Sequence, residues 1–134
     1  MLKKAGFVLV ILMAVLQGIY ALLAYWTLES FATIRGTDLV SQEDIDWIII
    51  YASRTLFIAL VVGYLAYKRE LKLLFWIAVF GMVMPITDAY LAYQADAAFG
   101  VIFKHILTLV YLGLTASILA VVIKKPNAPQ ASLG

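Results

Sequence analysis

The sequence predicts an all-α polytopic membrane protein: four transmembrane helices in an up-down-up-down bundle, both termini cytoplasmic. Three observations lead there. Of 134 residues, 65% are apolar and 13% are charged, with mean hydropathy +0.99; soluble domains are about 45–50% apolar and about 25% charged. Four apolar stretches each reach the roughly 20 residues that a membrane-spanning helix needs. The basic residues sort to one set of stretch ends, the acidic residues to the other.

The first stretch covers about 5–27. Lys3 and Lys4 precede it as in a signal peptide, but the apolar run is too long and no A-x-A site follows, so a retained helix is expected. The second covers about 47–67, the third 71–93 and the fourth 101–123. The runs are continuous rather than alternating, which excludes barrel strands. Residues 1–125 are read as one transmembrane domain. The tail 126–134 is polar and Pro-containing and is expected to be disordered.

The connections are short. Gly36, with Arg35 beside it, marks an end for helix one. Ser41-Gln-Glu-Asp44 has a capping-box pattern and starts helix two ahead of the membrane. The segments around Lys68–Lys72 and Gln94–Gly100 are tight, which makes sequential helices antiparallel. Small residues recur four apart at Ala14/Gly18, Ala59/Gly63, Gly113/Ser117 and Ala116/Ala120, and are expected to pack helices within the chain.

Orientation follows from charge. Lys3, Lys4, Lys68, Arg69, Lys72, Lys124 and Lys125 share one side. Glu29, Asp38, Glu43, Asp44, Asp46 and Asp96 share the other, with only Arg35 as a basic partner. Basic loops stay cytoplasmic, so the expected location is the inner (plasma) membrane with both termini inside. The pI of about 8.9 then reflects this asymmetry rather than nucleic-acid binding. No Cys and one His remove thiolate and multi-His metal centres; neither metal nor cofactor is expected.

The informative residues are polar and lie inside the spans, where ionisable groups are costly and usually functional. Arg54 lies seven residues past Trp47, Asp88 five before Tyr93 and His105 four past Val101. At 1.5 Å per residue all three fall roughly 6–10 Å below one surface. An Arg54–Asp88 pair with His105 beside it is the expected site, in the outer leaflet. Lys104, about 100° from His105, is expected to snorkel outward and take no part. Tyr20, Gln17, Tyr51, Met84, Pro85 and Thr108 are the expected pocket lining. Pro85 removes a backbone hydrogen bond and frees the Gly81 carbonyl, bending helix three one turn from Asp88.

An Arg early in helix two, a Pro-x-x-Asp in helix three and a His early in helix four resemble small four-helix integral membrane proteins of bacteria and fungi with uncharacterised function, loosely DoxX-like. The resemblance implies a four-helix bundle with Arg54, Asp88 and His105 at family positions. It implies no reaction.

Three functions compete. The first is a membrane-embedded enzyme or binding protein for a lipophilic small molecule. Asp88 and His105 would exchange protons and Arg54 would orient them, in an isomerisation, cyclisation or epoxide hydrolysis. The second is a proton-linked transporter, which four helices support only as a homodimer. The third is an accessory or assembly subunit in which the Arg–Asp pair is structural. Membrane lipids are the expected surroundings in each case.

Overall fold

A computed structural model describes residues 1–35 and 41–124. The proposed cap at Gly36, the loop to Val40 and the tail 126–134 lie outside the described residues.

The described chain is helical throughout: α1 Leu2–Trp26, α2 Leu28–Arg35, α3 Gln42–Tyr67, α4 Leu71–Gly81, α5 Val83–Gln94 and α6 Phe99–Lys124. Four segments are long and apolar enough to cross a membrane: α1, α3, α4–α5 taken together, and α6. Each is mostly exposed outside the bundle, as lipid-facing helices are; three of the expected spans lie within one of them, and the first overruns α1 by one residue, Thr27.

Local chemistry explains the ends. Ser41 caps α3 as a full capping box: the Asp44 N–H donates to Ser41 Oγ, and the Ser41 N–H donates to Asp44 Oδ2 at 2.8 Å. Two turns close through left-handed residues, Arg69 (φ 57°) and Asp96 (φ 49°). In each, a backbone N–H reaches five residues back, Glu70 to the Leu65 carbonyl and Ala97 to the Ala92 carbonyl, the bond of a Schellman end.

The first polar connection departs from the expectation of one helix running to Gly36. The helix breaks at Thr27, whose backbone (φ −138°, ψ 63°) leaves the helical region. Thr27 Oγ1 donates to the Leu23 carbonyl and its own carbonyl accepts from Phe31 N–H, which starts α2 as a separate helix. The physical cause is burial. Phe31 and Ala32 are 1% and 3% exposed, and only a break lets α2 fold them against α1 and α3.

The helices form a ring. Antiparallel α1 and α3 pack together, α4–α5 pack on α6, α6 returns to α1, and the tight turn joins α3 to α4. Two apolar clusters fill it. Val10, Met13, Val62, Ala66, Leu74, Leu112 and Leu119 lie toward the end that carries Lys3, Lys68 and Lys124. Ala24, Phe31 and Ala52 lie toward the end that carries Glu29, Glu43 and Asp96, with Tyr20 and Tyr51 packed against them.

The small residues divide. Ala59 and Ala116 are buried between helices. A Cβ on Gly18 or Gly63 would meet nothing within 4 Å, so neither glycine is where helices approach closely. The close approach is at Gly6 instead, where a Cβ would come within 3.1 Å of Ile118 and 3.4 Å of Leu119.

Candidate functional site

Asp88 and His105 meet on adjacent antiparallel helices, α5 and α6. His105 Nδ1 lies 3.7 Å from Asp88 Oδ2, with side chains 11% and 27% exposed respectively. The separation suits charge attraction when the imidazole is protonated and is too long for a direct hydrogen bond. Both groups are withdrawn from the surroundings without being sealed from them.

The helix break beside them has the expected cause. Pro85 has no N–H to donate to the Gly81 carbonyl. The run stops at Gly81, Met82 closes the turn through a 3.3 Å bond to the Val79 carbonyl, and α5 resumes with Ile86 N–H donating to the Met82 carbonyl at 3.3 Å. Pro85 is buried, and Asp88 follows one turn later.

The other expected site residues scatter. Arg54 is exposed on α3. Helix α3 joins α4 at the turn rather than packing along α5, and among the described residues no ion pair links Arg54 to Asp88. The structure thus shows no buried Arg–Asp pair among the described residues. Met84 and Thr108 are exposed too, and Thr108 Oγ1 donates to the Lys104 carbonyl of its own helix at 2.9 Å, as hydroxyls in membrane helices commonly do. Gln17 is half-buried on α1. Tyr20 and Tyr51 do come together, on either side of Phe31: ring centroids are 6.5 Å apart edge-on for Tyr20–Phe31 and 5.4 Å apart for Phe31–Tyr51. They seat α2. A shallow recess on α1, lined by Ile19, Leu22, Leu23, Trp26 and Thr27, includes none of the expected lining residues.

Lys104 corrects the expectation that it snorkels away. It is half-buried, and its ammonium donates to the Ile34 carbonyl in the last turn of α2. A cation there satisfies a carbonyl that the helix leaves without an N–H and complements the negative helix end. Through this bond the end of α2 is tied to α6 one residue before His105. The sequence signal was Phe31-Ala32 set among Glu29, Ser30 and Thr33, an apolar pair flanked by polar residues. Among the described residues, no three His, Cys, Asp or Glu side chains gather as a metal-ligand set.

The chain belongs to the family described as "Domain of unknown function (DUF4267)", whose model matches residues 7–119. The match reaches into all four spans and takes in every candidate site residue. The match does not confirm the DoxX-like part of the resemblance. No curated protein and no solved structure matches the chain.

Proposed function

We propose that this protein is a membrane-embedded enzyme or binding protein for a lipophilic small molecule, with Asp88 and His105 as its acid/base pair. One observation carries the reading: a carboxylate and an imidazole from two membrane-spanning segments stand 3.7 Å apart beside a broken helix. Ionisable groups at that depth are costly and tend to mark function. Asp88, the more exposed of the two, takes a proton from the ligand or holds its polar group. His105 stabilises the carboxylate and exchanges the proton, since imidazole titrates near neutrality. Such a pair suits isomerisation, cyclisation or epoxide opening, each of which moves protons without net redox change. The ligand enters sideways between lipid-facing helices, past the end of α2.

The positive-inside rule places the basic end, with both termini, in the cytoplasm of a plasma-membrane protein. The pair then opens toward the outer leaflet. A purely structural α5–α6 pair is the competing reading, and the contact between those helices favours it. Native mass spectrometry of the protein extracted with its own lipids separates the two. A discrete small molecule on the wild type, absent from Asp88→Asn and His105→Gln at unchanged melting temperature, supports the site. Variants that lose ligand and fold together assign the pair to structure.

A further inference from the structure

The charge that the acid/base pair leaves out has its own surroundings. Arg54 lies in α3, one of the membrane-spanning helices. The buried residues of α3 are Ala52, Thr55, Ala59, Val62 and Ala66. At 100° per residue Arg54 falls well away from that stripe. It shares the outward face with Trp47, Ile50 and Phe57, which are 66%, 38% and 67% exposed. Among the described residues no carboxylate pairs with it.

A guanidinium does not deprotonate in proteins, so burial in hydrocarbon as a neutral group is closed to it. It must carry its charge to a polar layer or meet an anion. The backbone favours one direction. Side chains of a helix lean toward its N-terminus, and the α3 N-terminus is the near membrane surface. Trp47 stands two turns above Arg54 on nearly the same face, about 10 Å along the axis. Exposed Trp residues gather at the headgroup level. With its stem leaning that way, Arg54 carries its guanidinium toward the layer where phosphates begin. Below it, exposed Phe57 and Leu60 offer acyl chains an apolar strip. Planar N–H donors above an apolar strip match an amphiphile with an anionic head, and Arg meets phosphate through paired hydrogen bonds.

We infer that Arg54, with Trp47 above and Phe57 below, is a binding site for the phosphodiester of a phospholipid on the outward face of α3. The site is separate from Asp88 and His105, so it stands or falls without the proposed acid/base function.

The test is a lipid titration followed by native mass spectrometry on the full chain in a neutral detergent. The probes are dioleoyl phosphatidylglycerol and dioleoylglycerol, which differ in the phosphodiester head. The wild type should retain one phospholipid about tenfold more strongly than Arg54→Gln, the scale of one charge-assisted contact. Arg54→Lys, which keeps the charge and loses the paired geometry, should fall between. Dioleoylglycerol should bind both proteins equally, and millimolar inorganic phosphate should leave the bound lipid in place. Equal phospholipid retention by wild type and Arg54→Gln overturns the proposal. So does displacement by inorganic phosphate, or a wild-type dimer that Arg54→Gln dissociates, because the arginine would then serve a soluble anion or a second copy. Circular dichroism on each variant identifies any that misfold, and Arg54→Lys keeps the comparison open if Arg54→Gln does.

Discussion

The two ends of this bundle are held by different means. At the basic end, long helices run unbroken and interlock through Val10, Val62, Leu74 and Leu119, each at most 1% exposed. Gly6 lets α1 approach α6 there, and Tyr111 ties the same helices by donating to the Leu9 carbonyl. At the acidic end the chain interrupts itself. It breaks at Thr27, inserts an eight-residue helix, and arrives through α5, which starts beyond the break at Met82. The ionisable residues Asp88, Lys104 and His105 all sit in that half. In lipid the hydrophobic effect no longer drives helix against helix, so close packing and hydrogen bonds must do so. One end meets that need with shape. The other gives up helix continuity, and the gaps are where polar side chains fit. The basic end is a scaffold and the acidic end is where a ligand would be handled.

The sharpest way to break this contrast is Asp88→Asn. The change keeps shape and removes charge. It should abolish ligand retention or turnover while costing about 0.6 kcal/mol of stability, the average of polar contacts in membrane proteins. Ligand retention and thermal unfolding in the same detergent check both halves. A melting loss as large as that of a core truncation would make the acidic end scaffold as well.

Next come two packing changes of comparable size at opposite ends. Phe31→Ala removes a large side chain that α2 buries and should cost about 3 kcal/mol. Its effect should be local: faster amide exchange over 28–35, with 62–66 and 112–119 still protected. Gly6→Val forces a Cβ to within 3.1 Å of Ile118 and should cost about 1–3 kcal/mol through overpacking. Here the loss should be global, with no separate release of α2. Exchange measured by mass spectrometry distinguishes the patterns, and identical patterns would mean that the two ends unfold as one unit.

Much of the scaffold was legible because its causes are local. Apolar length marks spans, Ser41 and Asp44 mark a cap, and Pro85 marks a break; each acts within a few residues. The pairing of Asp88 with His105 was legible because consecutive antiparallel helices place equal depths side by side. Arg54 shares that depth but not that neighbour. Depth is read along the chain, whereas the rotation of α3, which turns Arg54 outward, is set by Ala52, Thr55 and Ala59 meeting α1. The break at Thr27 was hidden for a related reason. No Pro or Gly announces it, and the buried Phe31 that makes it worthwhile finds its partners only once α1 and α3 are assembled. Lys104 was judged by its angle from His105, and its true partner is a carbonyl on a helix not foreseen.

That bond supplies the most local and most specific prediction. Lys104→Met keeps the length and apolar stem of the side chain and deletes the cation. The Ile34 carbonyl then loses its donor, and the negative end of α2 loses its compensating charge. The expected cost is about 1–2 kcal/mol, the sum of one hydrogen bond and a helix-end interaction at their usual sizes. It should appear almost wholly in α2, as faster exchange at its last turn while Phe31 remains seated between Tyr20 and Tyr51. Because this bond ties the end of α2 to α6 one residue before His105, the loosened end should also speed ligand entry and exit by similar factors and leave affinity nearly unchanged. Stopped-flow binding, once a ligand is in hand, reads that directly. If Lys104→Met weakens affinity as severely as Asp88→Asn, Lys104 contacts the ligand itself, and the acidic end holds a three-residue site in place of a pair beside a tethered helix.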